Sequence, residues 1–162
     1  MHFALVARLV ILLFVANGAP LLAKAMLGSR FDRPLDGGAL FPDGRAWFGA
    51  SKTIRGVVVA LVATSLAAPV LGFRWEVGVI VAMGAIAGDL FSSFIKRRLG
   101  LASGTMALGL DQIPESLFPL LASRLLLPVG LLDVLAGVVI FTLGNLAVSR
   151  VLFHCNMRDT PY

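Results

Sequence analysis

The stretch Gly88-Asp89-Leu90-Phe91-Ser92-Ser93-Phe94-Ile95-Lys96-Arg97-Arg98 closes an apolar run that begins at Trp75. The run from Trp75 to Ile95 has the length of a membrane-crossing helix. A carboxylate inside such a segment costs roughly 2.5–3.5 kcal/mol on insertion scales, and by default it marks a bundle interior or wet cavity with a function. Asp89, Ser92, Ser93 and Lys96 stand at i, i+3, i+4 and i+7 and share one helical face. The spacing predicts a polar ladder that climbs to a charged rim. The plainer reading of Asp89 is a structural partner to Lys96 or to a backbone group.

Composition agrees with a membrane setting. The 162 residues are 58% hydrophobic and 14% charged, with a mean hydropathy of +0.91; a soluble domain carries about 25% charged residues. The polar stretches are too short to fold alone, so residues 1–162 read as one all-α integral membrane domain. Five transmembrane helices are expected, about 3–27, 54–72, 75–95, 112–127 and 129–153. The fourth is short for a bilayer of about 30 Å. The net charge of +5 does not argue for nucleic acid, because Lys and Arg in a membrane protein mark the cytoplasmic side. The single cysteine, Cys155, excludes an intrachain disulfide and reads as apolar filler.

Charge placement sets the orientation. Lys24, Arg30, Arg33, Arg45, Lys52 and Arg55 cluster between the first two spans, Lys96 to Arg98 between the third and fourth, and Arg150 and Arg158 near the end. The other side has Arg8, Arg74 and Arg124. The positive-inside rule then puts the amino terminus outside and the carboxyl terminus in the cytoplasm. Both long loops, about 28–53 and 97–111, become cytoplasmic, and the site is expected to be built from them. A cleaved signal peptide ending near Ala16-Asn17-Gly18 is the alternative for the first span, but it would leave both basic loops outside.

The first long loop is rich in Gly, Pro and Asp, which favour turns. Its Gly49-Ala50-Ser51-Lys52-Thr53 lacks the Walker spacing. Lys52 and Arg55 would still flank the exposed N–H groups of a helix start, which attract anions; a solvated loop whose cations only set topology is the alternative. Gly84-Ala85-Ile86-Ala87-Gly88 permits close helix contact. Asp111 reads either as an N-cap of the fourth span, with Pro114 tolerated in its first turn, or as a ligand. Asp111 and Glu115, at i and i+4, lie at the depth of Asp89, and three such carboxylates could hold Mg²⁺ against phosphates. Asn17-Gly18-Ala19-Pro20 interrupts the first span: Pro20 should kink it, and Asn17 would bond a neighbouring helix or a ligand. Arg124 and Asp133 read as structural. His2 and His154 lack metal-ligand companions.

In chain order, Ala16-Asn17-Gly18-Ala19-Pro20, Pro34-Leu35-Asp36-Gly37-Gly38, Phe41-Pro42-Asp43-Gly44-Arg45, Phe48 to Gly56, Gly88-Asp89 through Arg98, and Leu110-Asp111-Gln112 resemble the small membrane cytidylyltransferases that make CDP-archaeol, relatives of the CDP-diacylglycerol synthases. The resemblance covers nearly the whole chain. It implies a five-helix enzyme of the cell (inner) membrane that uses CTP, a lipid phosphate and Mg²⁺ at a cytoplasmic site. Asp89, Asp111 and Lys96 would be catalytic. Lys52, Thr53, Arg55, Ser93, Arg97, Asn17, Asp36 and Asp43 would bind substrate, with Ser93, Lys96 and Arg97 matching a Ser-x-x-Lys-Arg element. Asp89, Asp111 and Glu115 would hold the metal. One departure is that Pro114 stands where relatives carry an acid, with Glu115 following it. The reaction implied is CTP plus lipid phosphate giving CDP-lipid and pyrophosphate. A small transporter using Asp89 and a non-catalytic scaffold are the alternatives, and a homodimer is left open.

Overall fold

The computed structural model describes residues 2–154, with side chains as far as Arg150. The expectations for Cys155 and Arg158 fall outside the described residues. The chain forms five helices: α1 Phe3–Leu27, α2 Ile54–Val70, α3 Trp75–Arg98, α4 Gln112–Ser123 and α5 Leu131–His154. Among the described residues there are no strands, only isolated bridges at Pro34 with Thr53 and Leu40 with Ala46.

Three helices, α1, α3 and α5, are long and apolar enough to cross a membrane. α2 is also apolar but has 17 residues. α4 has 12 residues and spans about 18 Å at 1.5 Å per residue. The fourth crossing expected over 112–127 is therefore not made by helix alone. Its end is corrected to Ser123, where the backbone tightens into turns, Leu125 N–H to Ala122 O and Leu126 N–H to Ser123 O. α2 stops two residues early, at Val70. α3 runs three residues past Ile95, so its basic last turn, Lys96 to Arg98, sits at the negative end of the helix dipole.

The distribution of side chains is that of a bundle in an apolar solvent. Val58, Val62, Leu66, Met83, Leu132, Leu135 and Leu143 are exposed along the outer faces. Thr64, Ser92, Ser93, Gln112, Ser116 and Ser123 are buried. Leu9, Leu12, Leu13, Val77, Val81, Leu120 and Phe141 form the apolar core, and Phe14 meets Phe141 with ring centroids 5.1 Å apart. At one end, the His2 backbone N–H donates to Asp133 Oδ1 at 2.8 Å and the His2 ring lies 3.1 Å from Oδ2, which ties the start of α1 to the start of α5. This agrees with the structural role expected of Asp133. The two long loops fold together at the opposite end.

α3 and α4 pack against each other more extensively than any other pair, and glycines allow it. A Cβ at Gly88 would lie 2.1 Å from Pro114 O, and one at Gly84 would lie 2.5 Å from Pro119 Cα. Those neighbours are backbone and cannot swing aside. Gly88→Ala is expected to force α3 and α4 apart at a cost of about 1–3 kcal/mol, read as a lower melting temperature of the detergent-solubilised protein. A wild-type melting temperature would refute the close-contact argument.

Candidate active site

The first long loop is organised by two side chains. The Asp36 carboxylate accepts backbone N–H groups from Gly38 at 3.0 Å, Phe48 at 3.0 Å and Gly49 at 2.9 Å. Burial by itself would raise the Asp36 pKa, but the N–H groups of Gly49, Phe48 and Gly38 outweigh it and hold the carboxyl below its usual 3.8. A lowered folded-state pKa means stability that is present above the unfolded pKa and lost as pH falls through the folded one. Asp36→Asn should therefore melt lower than the wild type at neutral pH, with the gap closing as pH drops below about 3.8. Melting curves from pH 7 to 3 test this, and a pH-independent gap would contradict it. The second organiser is Arg55, whose guanidinium donates to Gly28 O at 2.9 Å, Arg30 O at 2.5 Å and Asp32 at 2.9 Å. Thr53 caps α2, its Oγ1 accepting the Gly56 N–H at 3.1 Å.

A second contact clasps this loop to the end of α3. Arg98 pairs with Asp43 at 2.7 Å and donates to Ala46 O at 2.6 Å. Its guanidinium lies 4.5 Å from the Phe41 ring centroid and 5.0 Å from that of Phe94. Arg45 reaches back to the carbonyls of Arg97 and Arg98 at the carboxyl end of α3. Trp47 completes the aromatic cluster, 4.9 Å from Phe41 and 5.8 Å from Phe94.

Between these devices lies a cavity of about 390 Å³. Its polar wall carries Lys52, Thr53 and Arg55 from the first loop, Asp89 and Lys96 from α3, and Asp111, Gln112 and Glu115 from α4. Phe14, Ala60, Leu90 and Phe141 continue it among apolar side chains. Lys52 Nζ meets Asp89 Oδ1 at 2.5 Å. Lys96 Nζ meets Asp111 Oδ1 at 2.7 Å and donates to Thr105 O at 2.9 Å. Glu115 lines the same wall as Asp89.

Several expectations change. The partner of Asp89 is Lys52 from the loop, not Lys96, because seven residues of helix separate Asp89 from Lys96 by about 10.5 Å. Asp111 is no side-chain N-cap: it has helical φ and ψ, and its Oδ2 accepts the Ala107 N–H at 2.8 Å. The ladder of serines does not face the cavity. Ser92 Oγ donates to Asp89 O at 3.0 Å, and Ser93 Oγ is buried without a partner, off the cavity wall. Arg97 likewise turns away, donating to Ala102 O at 2.8 Å to brace the second loop. Asp36 and Asp43 are off the wall too, holding the loop in shape. Ser93, Arg97, Asp36 and Asp43 thus stand off the cavity lining, and the bonds of Arg97, Asp36 and Asp43 brace the two loops. Asn17 lines the cavity, and its Nδ2 donates within its own helix to Leu13 O at 3.0 Å rather than to a neighbouring helix. α1 runs on through Pro20. Arg45, Arg98 and Asn145 were not singled out from the sequence. The Arg98 clasp had no local signal, and Asn145 on α5 reaches the cavity only through helix packing.

The fit to a divalent cation is testable on these atoms. Among the described residues no three His, Cys, Asp or Glu side chains gather as a ready-made metal shell. The donors are nevertheless hard carboxylate oxygens, and Mg²⁺ commonly takes one or two of them plus substrate oxygens. Asp89, Asp111 and Glu115 on the one wall supply such oxygens, with Lys52 and Lys96 beside them to meet phosphate.

A family model described as CarS-like, CDP-archaeol synthase, matches residues 70–162. The CDP-archaeol synthase of Pyrobaculum calidifontis is 34% identical over 154 residues, covering 92% of each chain. The chain belongs to the CDP-archaeol synthase family. The synthase of Pyrococcus furiosus is 40% identical over 109 residues, 61% of this chain and 62% of its own. A solved structure described as an intramembrane enzyme for archaeal membrane lipids biosynthesis is 31% identical, with a TM-score of 0.74, covering 87% of this chain and 90% of that one. Family membership makes the chain an enzyme and the bundle a membrane protein.

Proposed function

We propose that this enzyme joins the cytidylyl group of CTP to the phosphate of a membrane lipid of the archaeol type and releases pyrophosphate. The relatives are CTP-dependent cytidylyltransferases of membrane lipid synthesis, and the chain is an enzyme of that kind. The observation that carries the finer reading is the mixed lining of the cavity, in which paired lysines and carboxylates stand together with apolar side chains. A triphosphate suits the charged residues, and a lipid whose phosphate must meet it suits the apolar ones. We place this end of the bundle in the cytoplasm of a cell whose inner membrane holds residues 1–162 as one domain, because the basic loops lie there.

The chemistry needs little from the protein beyond charge and alignment. A phosphate monoester is mostly dianionic at neutral pH, its second pKa being near 6. One of its oxygens forms a bond to the α-phosphorus of CTP as the bond to the bridging oxygen breaks, and pyrophosphate leaves with that electron pair. No protein base has to take a proton. Lys52 and Lys96 release their carboxylate partners and pair with phosphate oxygens, offsetting the charge that gathers on the leaving group. Thr53 and Arg55 shape the start of α2 beside them. Asp89, with Asp111 and Glu115, would hold Mg²⁺, which when bound supplies further neutralisation of the triphosphate. The purified protein, incubated with labelled CTP, Mg²⁺ and a panel of lipid phosphates, should yield a CDP-lipid and pyrophosphate. Failure with every lipid phosphate would reject the reading.

A further inference from the structure

Gln112 opens α4 beside Asp111, is 0% exposed and lines the cavity. The orientation of its amide is fixed. Oε1 accepts the Gly109 N–H at 2.8 Å, and a backbone N–H can only donate, so the oxygen must be the end that faces Gly109. The NH₂ end therefore points elsewhere, and Nε2 is buried with no acceptor. A buried donor left unpaired is costly and calls for a reason. The two serines of α4 are satisfied by contrast: Ser116 Oγ donates to Gln112 O at 2.7 Å and Ser123 Oγ to Leu120 O at 2.7 Å.

Building on the proposed cytidylyl transfer, we infer that Gln112 is a substrate-contacting residue whose amide NH₂ donates to a phosphoryl oxygen in the cavity. The cations of the same wall are committed: Lys52 to Asp89, Lys96 to Asp111, Arg55 to Asp32. Gln112 Nε2 is a buried donor in that lining with no protein acceptor to give up. A phosphoryl oxygen brings the lone pairs it lacks, and a neutral amide adds a fixed hydrogen bond without adding charge. It has no proton to transfer, so its part is alignment and stabilisation. The oxygen belongs either to CTP or to the lipid phosphate, and kinetics separate the two.

Two variants distinguish this contact from a merely structural one. Gln112→Glu keeps an oxygen for the Gly109 N–H and removes the amide donor; Gln112→Met removes both. The contact predicts that both variants lose on the order of tenfold to a hundredfold in kcat/KM, the range for a hydrogen bond to a charged group. Both also melt lower, Gln112→Met because the Gly109 N–H loses its acceptor and Gln112→Glu because a carboxylate is buried beside Asp111 and Glu115, so the split between kcat and the two KM values carries the test. A raised KM for CTP assigns the oxygen to the nucleotide, and a raised KM for the lipid phosphate assigns it to the lipid. A fall in kcat with both KM values unchanged assigns it to the phosphoryl group in transfer. Gln112→Glu with wild-type kcat and both KM values, alongside a defective Gln112→Met, would overturn the inference and leave Gln112 as a cap for Gly109. If the wild type forms no CDP-lipid, the transfer reading falls and takes this contact with it. Wild-type turnover with an indifferent Gln112→Glu sinks the contact alone.

Discussion

Asp89→Asn is expected to lower CDP-lipid formation by at least about a hundredfold, the scale for losing one electrostatic group at a reacting centre, while leaving membrane insertion and folding intact. Asn matches Asp in volume, so the contact of α3 with its neighbours is undisturbed. What disappears is the one charge that three parts of the chain converge on. Lys52, from the first loop, lies 2.5 Å from it, Glu115 of α4 lines the cavity with it, and its own helix leads on to Lys96. With Asp89 neutral, Lys52 is drawn to Glu115, and the lining loses the acid proposed to hold the metal. Turnover of labelled CTP by the purified variant, with circular dichroism and a melting curve as controls, makes the test. A folded Asp89→Asn protein within tenfold of wild type would remove Asp89 from the mechanism.

Arg98→Ala should be the most damaging change outside the cavity. The guanidinium holds Asp43, the carbonyl of Ala46 and the faces of Phe41 and Phe94 together. Each cation–π contact contributes about 0.5–2 kcal/mol. The Asp43 pair contributes at the low end, because that carboxylate is 39% exposed. Losing the set should lower the melting temperature by several degrees and cost on the order of tenfold in turnover, since the same loop carries Lys52. Arg98→Lys keeps the charge but not the planar fork that stacks on the rings and reaches two acceptors, so it should restore less than half of the loss. Equal behaviour of Arg98→Lys and wild type would mean that charge alone sets the loop.

The helices were legible because apolar length is a strong signal: α1 matches its expected bounds, and α3 begins where the apolar run begins. The end of α4 was not, since Leu125 to Leu127 are as apolar as the helix before them and only the backbone turns reveal the stop. In the site, Asp89 announced itself by its cost in an apolar segment. Its partner did not. Same-face spacing along α3 favoured Lys96, whereas the true neighbour arrives from a loop folded by Asp36 and Arg98, whose bonds join residues far apart in sequence. Motif order brought Ser93, Arg97, Asp36 and Asp43 into view as important positions, but order along a chain does not say whether a side chain touches the ligand or holds the residue that does.

The cavity lining also carries a balance of signs. Lys24, Lys52, Arg55 and Lys96 are matched by Asp32, Asp89, Asp111 and Glu115. Lysine and carboxylate already satisfy one another there, so an incoming anion must displace a paired carboxylate to reach either Lys52 or Lys96. Abundant small anions gain nothing from the site unless they can part lysine from carboxylate on more than one side at once. Selection for a long polyanion is thereby built into the resting state, before any base or lipid is recognised.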